Sequence, residues 1–121
     1  MSQAFAITAS RIFDGHVFHE DAAVLVDSGR VKAVLARADL PAGIARQDMG
    51  DALIAPGFID LQVNGGGGVL FNNDPTLTGI RTICEAHARY GTTALMVTLI
   101  TDAPEIKREA ITAGEAAATA G

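Results

Sequence analysis

The sequence predicts an α/β protein: a small all-β unit first, then two strand–helix units, with the boundary at about residue 56. Three observations carry this. Residues 4–36 are short apolar runs separated by glycine-containing turns, the pattern of antiparallel hairpins. Residues 58–64 alternate apolar and polar side chains and run into four glycines. Residues 92–100 are β-branched and apolar almost throughout, the composition of a strand covered on both faces in a parallel sheet.

In chain order, residues 5–9 form a first strand and Asp14-Gly15 a turn. Residues 22–26 and 31–36 are strands around Asp27-Ser28-Gly29-Arg30, a four-residue turn that predicts a hairpin. Residues 37–52, with Pro41, Gly43 and Gly50, are a connector with room for a helical turn or a weak strand near Ile44. Residues 53–55 return to the sheet, and Pro56-Gly57 ends it. In the following strand, alternation assigns Ile59, Leu61 and Val63 to an apolar layer and Phe58, Asp60, Gln62 and Asn64 to the opposite face. Asp74 then suits a helix N-cap and Pro75 the first helical position. Leu77, Ile80, Ile83, Cys84 and His87 fall on one helical stripe, and Gly91 stops the helix. The 58–64 and 94–100 strands should be parallel neighbours joined by this helix. A second helix begins after Asp102, with Ile106 and Ile111 as its only large apolar anchors.

A chain of 121 residues fits one average domain. A closed eight-stranded α/β barrel needs about 250 residues, so two strand–helix units are at most the start of a barrel or an open sheet. Nine basic against fourteen acidic residues leave a net charge of −5, which argues against non-specific nucleic-acid binding. The single cysteine, Cys84, excludes an intrachain disulfide. Residues 1–6 carry neither a basic segment nor a long apolar one, and the apolar stretch at 94–100 is too short to span a bilayer. No membrane partner is expected, and the cytoplasm is the expected compartment.

Candidate chemistry concentrates at the end of the 58–64 strand. Gln62 and Asn64 present neutral amides that can hydrogen-bond a metal-bound water or a substrate. Spacing alone favours plain structural hydrogen bonds. Asp60, two residues deeper, either orients Gln62 or is a buried carboxylate satisfied by backbone or a basic side chain. Gly65, Gly66, Gly67 and Gly68 suit a flexible loop closing over the site better than a phosphate cradle, since no Gly-Lys-Ser/Thr ending follows. His16 and His19, beside Glu20, are expected on the surface, His87 half-buried on its stripe, and Cys84 as a small core residue. Thr98, Thr101 and Asp102 lie at the end of the second strand, with Asp102 ranked first as a helix N-cap.

The motif Pro-Gly-Phe-Ile-Asp-Leu-Gln-Val-Asn-Gly-Gly, beginning at Pro56, resembles the Pro-Gly-x-Ile-Asp-x-His-x-His signature of the metal-dependent amidohydrolase superfamily. Gln62 and Asn64 stand where many members carry two metal-binding histidines. That replacement, with the glycine run and Thr98-Leu99-Ile100-Thr101-Asp102, resembles the N-acetylglucosamine-6-phosphate deacetylase family. The resemblance implies a β-sandwich-like segment over residues 1–55. It implies the first two βα units of an incomplete (β/α)₈ TIM-type barrel over residues 56–121. It also implies hydrolysis of the acetamido group of an amino-sugar phosphate, one divalent metal (zinc foremost), and a homodimer for the full-length protein. In that family the strong metal ligands and the catalytic aspartate lie on later strands, so the resemblance implies no catalytic residue and no strong metal ligand in this chain. The chain alone is then expected to be inactive. What carries over is a place for Gln62 and Asn64 near the metal, through water or substrate. Two alternatives stay open: another amidohydrolase acting on a different amide, and a non-catalytic assembly module using the open sheet edge.

Overall fold

The computed structural model describes residues 4–120. The expectation about the N-terminal six residues therefore falls partly outside the described residues. The chain divides into two compact units, Met1–Pro56 and Gly57–Gly121.

The first unit is a single sheet. Strands β1 (Phe5–Phe13), β2 (Phe18–Asp27), β3 (Arg30–Ala36) and β4 (Ala45–Asp48) lie in the order β3-β2-β1-β4, and β5 (Leu53–Ile54) pairs with the far end of β1. The β1–β2 and β2–β3 pairs are antiparallel, while β4 and β5 both run parallel to β1. The β2–β3 hairpin closes through Ser28 (φ 52°) and Gly29 (φ 73°). Both central residues are left-handed, which matches the twist of the flanking strands. In the β1–β2 loop, the Asp14 carboxylate accepts the backbone N–H groups of His16 (2.8 Å) and Val17 (2.9 Å) and pairs with His19 Nε2 at 2.6 Å. His19, first, and then the two N–H groups hold the Asp14 carboxyl well below the usual carboxylate range. His16 is exposed as expected, but His19 is half-buried in this pair.

Apolar side chains cluster in two groups, Ala6, Ala23 and Leu40 in one, Ile12, Ala22 and Val24 in the other. Alternation along β2 sends Ala22 and Val24 to one face and Ala23 to the other. The expected sandwich-like segment is thus one sheet with apolar groups on both faces. Among the described residues, no second sheet of this unit packs against it.

The second unit contains β6 (Phe58–Val63), β7 (Gly65–Gly66), β8 (Val69–Leu70), α1 (Leu77–Ala88), β9 (Thr92–Val97) and α2 (Pro104–Ala120). Strands β6 and β9 are parallel neighbours joined through α1, as the sequence predicts. The start of α1 lies two residues beyond the expected place. Thr76, with extended backbone, is the N-cap, and its hydroxyl accepts the Gly79 N–H at 3.1 Å. Asp74 instead accepts the Thr76 hydroxyl at 2.7 Å. Helix α2 likewise does not use Asp102 as its cap: Ala103 offers its carbonyl to Lys107, and Asp102 accepts the Ala103 N–H.

The core of this unit is Val63, Phe71, Ile80, Ile83, Ala110 and Ala113, with Leu95, Val97 and Cys84 packed against it. The predicted stripe on α1 therefore meets the sheet. On α2 the contact is made by Ala110 and Ala113, while Ile111 is 62% exposed. Small side chains let the two helices approach closely, a solution that counting large anchors does not anticipate.

Both helices pack on one face of β6–β9. Ile59 (69% exposed), Leu61 (71%) and Met96 (60%) are bare, so the expected apolar layer around Ile59 and Leu61, and the two-sided cover of the second strand, are not supplied here. Exposed apolar groups of this size favour association. The isolated 121-residue chain should therefore unfold at low denaturant or self-associate. Sedimentation and urea titration showing a monomer with a sharp, high-midpoint transition would contradict this.

Candidate functional site at the strand ends

The C-terminal ends of β6 and β9 lie side by side because the strands are parallel, and the segments that follow them carry the polar residues picked out in the sequence. Strict alternation fails within β6. Asp60 pairs with Leu95 and Val63 with Val97, so β6 has one residue more than β9 between these points. A bulge of this kind reverses the facing of everything beyond it. The register puts Asp60 and Val63 together on the face of Leu95 and Val97. Asp60 therefore does not share the face of Asn64, contrary to the expectation. Its carboxylate accepts the backbone N–H of Gln62 at 3.1 Å across the bulge, which fits a carboxylate satisfied by backbone. Gln62 itself is exposed.

Asn64 is half-buried, and its Nδ2 donates to the Thr98 carbonyl at 3.0 Å. A carbonyl only accepts, so this bond fixes which end of the amide faces Thr98. Thr98 N–H in turn donates to the Val63 carbonyl at 2.8 Å. The Thr98 hydroxyl turns back to the Met96 carbonyl at 3.2 Å, and Thr101 is exposed.

The glycines form a paired turn in place of the expected flexible loop. Gly65–Gly66 and Val69–Leu70 pair as a short antiparallel hairpin, turned by Gly67 (φ 62°) and Gly68 (φ 84°). The Asn64 carbonyl accepts the Phe71 N–H at 2.8 Å, which extends the pairing by one step. His87 Nε2–H donates to the Gly65 carbonyl at 3.0 Å and ties the hairpin to α1. The histidine is half-buried, as expected, and its task is this tether.

Sequence reasoning missed Asn72. Its Oδ1 accepts the Ile100 N–H at 3.0 Å, and its Nδ2 donates to the Ile100 carbonyl at 2.9 Å and to Asp102 Oδ2 at 2.7 Å. One amide thereby pins the segment that follows β9. An asparagine in a turn-rich stretch before a helix looks like a loop residue, and nothing local reveals a partner 28 residues away.

Among the described residues no three His, Cys, Asp or Glu side chains come together to hold a metal ion. The oxygens of Gln62 and Asn64 are neutral amides, weak partners for a divalent transition metal, so the donor set present does not make a metal site. A depression of ≈ 590 Å³ lies in the first unit, beside Arg11, Glu20, Asp21, Arg37 and Asp48. Its central cation, Arg37, is already engaged with Asp21 at 3.0 Å and Asp48 at 3.8 Å, an arrangement that braces the sheet.

The ordered hairpin makes its glycines unequal. A Cβ at Gly65 would strike the Val69 carbonyl oxygen, and one at Gly66 would lie 2.9 Å from the His87 ring, whereas one at Gly68 would meet open space. Gly65→Ala should therefore destabilise the protein by several kcal/mol, in the range of severe overpacking. Gly68→Ala should cost only about 1–2 kcal/mol for its left-handed backbone. Equal denaturation midpoints for the two variants would show the hairpin to be absent.

Comparison with known proteins gives this arrangement a context. Residues 4–54 match the family model described as the NagA composite domain. The chain is 51% identical over 57 residues to the N-acetylgalactosamine-6-phosphate deacetylase of Shewanella sp. (strain ANA-3), an alignment covering 47% of this chain and 14% of that protein. It is 31% identical over 107 residues to the N-acetylglucosamine-6-phosphate deacetylase of Haemophilus influenzae, covering 88% of this chain and 28% of that one. Among solved structures, the N-acetylglucosamine-6-phosphate deacetylase of Pasteurella multocida superposes with a TM-score of 0.87 at 29% identity, over 96% of this chain and 31% of that one. The chain thus spans about a third or less of the proteins it matches. In sequence and in fold, it is similar to the N-terminal part of the N-acetylglucosamine-6-phosphate deacetylases.

Proposed function

We propose that this chain is the N-terminal part of a hydrolase that converts N-acetylglucosamine 6-phosphate to glucosamine 6-phosphate and acetate. The supporting observation is that the similarity to such deacetylases runs through both units, including the strand that ends in Gln62 and Asn64. In this reading the second unit supplies the first two βα units of a (β/α)₈ barrel. Such barrels keep their chemistry at the C-terminal ends of the strands, where Gln62 and Asn64 stand. A divalent metal, zinc foremost, would be held by ligands outside this chain. The full-length protein is taken to be a cytoplasmic homodimer, and the chain alone to be inactive.

The residues present have a positioning role. An amide side chain offers two donors and an acceptor without charge, which suits the acetamido group of the substrate or a water approaching it. Asn64, with its Nδ2 committed to Thr98, has a fixed amide orientation and therefore presents its oxygen in one direction. Gln62, exposed and with its backbone N–H donated to Asp60, can adapt its side chain to the ligand. The glycine hairpin follows Asn64 directly and is tied to α1 through His87. Preorganised hydrogen-bonding groups stabilise a transition state more than flexible ones do.

A second reading concerns the sugar. The relative with 51% identity is a deacetylase of N-acetylgalactosamine 6-phosphate, which differs from the glucose epimer only at C4. Acetate release from both substrates by the full-length protein distinguishes them. A higher kcat/KM for the glucosamine substrate supports the first reading, and the reverse establishes the second.

If Gln62 and Asn64 act on geometry, Gln62→Ala and Asn64→Ala in the full-length enzyme should each lower kcat about tenfold to a thousandfold, roughly 1.4 to 4 kcal/mol. Metal content should stay at the wild-type level. Loss of the metal from either variant would make that residue a ligand. Unchanged kcat in both would return them to structural hydrogen bonding.

A further inference from the structure

We infer that Asn72 is a positioning residue for this site, acting through the backbone of residues 98–100 to fix the amide of Asn64. The inference rests on the proposed role of Asn64 and deepens it.

The chain of contacts is short. Asn72 grips Ile100 as another peptide group would, accepting from its N–H and donating to its carbonyl, and its second Nδ2 hydrogen goes to Asp102. Both amide hydrogens and the oxygen are thus used, and no flipped orientation could make these bonds. Two residues before Ile100, the Thr98 carbonyl accepts from Asn64. One residue beyond Val63, Asn64 leaves the strand whose carbonyl takes the Thr98 N–H. Asn64 and Asn72 therefore hold the two ends of one three-residue segment, from the two ends of the glycine hairpin. A shift of Ile100 moves the Thr98 carbonyl and rotates the Asn64 amide with it.

Asp102 locks the far side. Its other oxygen, Oδ1, accepts the Ala103 N–H at 2.8 Å. The Asn72 amide, first, and then the Ala103 N–H keep its carboxyl below the usual range, so it remains an acceptor for Asn72 at neutral pH. These bonds lie at an exposed edge, where each contributes little to folding. Their removal should thus be felt in geometry more than in stability, which separates positioning from a structural role.

The test uses the full-length enzyme and three variants: Asn72→Ala, Asn72→Asp, and Asn72→Asp combined with Asp102→Asn. Asn72→Ala should lower kcat about tenfold with KM within about threefold of wild type, and backbone amides of residues 98–102 should exchange with deuterium faster. Asn72→Asp should be worse, because it sets two carboxylates where the amide and Asp102 now lie 2.7 Å apart. Adding Asp102→Asn restores a donor between positions 72 and 102, though not the bond to the Ile100 carbonyl, and should recover kcat and slow the exchange only in part. Unchanged kcat in Asn72→Ala, or a double variant no better than Asn72→Asp, overturns the inference. Wild-type protein inactive on both amino-sugar phosphates would instead remove the proposed function, and this role with it, before any substitution is compared.

Discussion

The second unit depends on the burial of Ile83 and Val63 between one face of β6–β9 and the helices that cross it. Ile83 is fully buried and Val63 3% exposed, and each fully buried aliphatic side chain of this kind contributes about 1.5–3 kcal/mol. The contact sets more than stability. Val63 is the last residue of β6 and stands just beyond the bulge, so its burial selects the register in which Asp60 pairs with Leu95. The bulge then decides where Gln62 and Asn64 go. A one-residue slip would put Val63 in water and an amide in the core, a penalty large enough to exclude it.

Beyond the strand ends, apolar packing gives way to amides. Asn64, Asn72 and His87 each satisfy backbone groups of a neighbouring segment, and buried or half-buried backbone must find such partners where no ladder continues. The outcome is a rim in which two loops and a glycine hairpin are held mainly by neutral side chains, with Asp102 as the charged partner of Asn72. In the proposed reading, neutral amides add direction at the site without competing with the charge of a metal held elsewhere. The other side of the same two strands is bare, with Ile59, Leu61 and Met96 exposed, and is the face that the proposed barrel would cover.

Local periodicity made much of this legible. The β2–β3 hairpin, α1 with its Ile80–Ile83 stripe, and the parallel pairing of β6 with β9 all follow from patterns within a dozen or so residues. What escaped depends on partners far along the chain. The bulge in β6 arises from the register against β9, and alternation within β6 cannot reveal it. Four successive glycines permit both a mobile loop and a tight hairpin, and only the His87 tether and the crowding at Gly65 select the second. Thr76 rather than Asp74 caps α1 because both can accept an N–H, and the choice falls to where Ile80 meets the core. Asn72 was invisible for the same reason: its partners are the backbone of Ile100 and the side chain of Asp102.

In the proposed reading, the amides at the end of β6 face the reacting group. A crystal structure of the full-length protein with N-acetylglucosamine 6-phosphate bound tests it most directly. Gln62 or Asn64 should lie within hydrogen-bonding distance of the acetamido group or of the water beside it, with the Asn64–Thr98 and Asn72–Ile100 bonds intact. A ligand bound away from the ends of β6 and β9, with both amides turned from it, would contradict this placement.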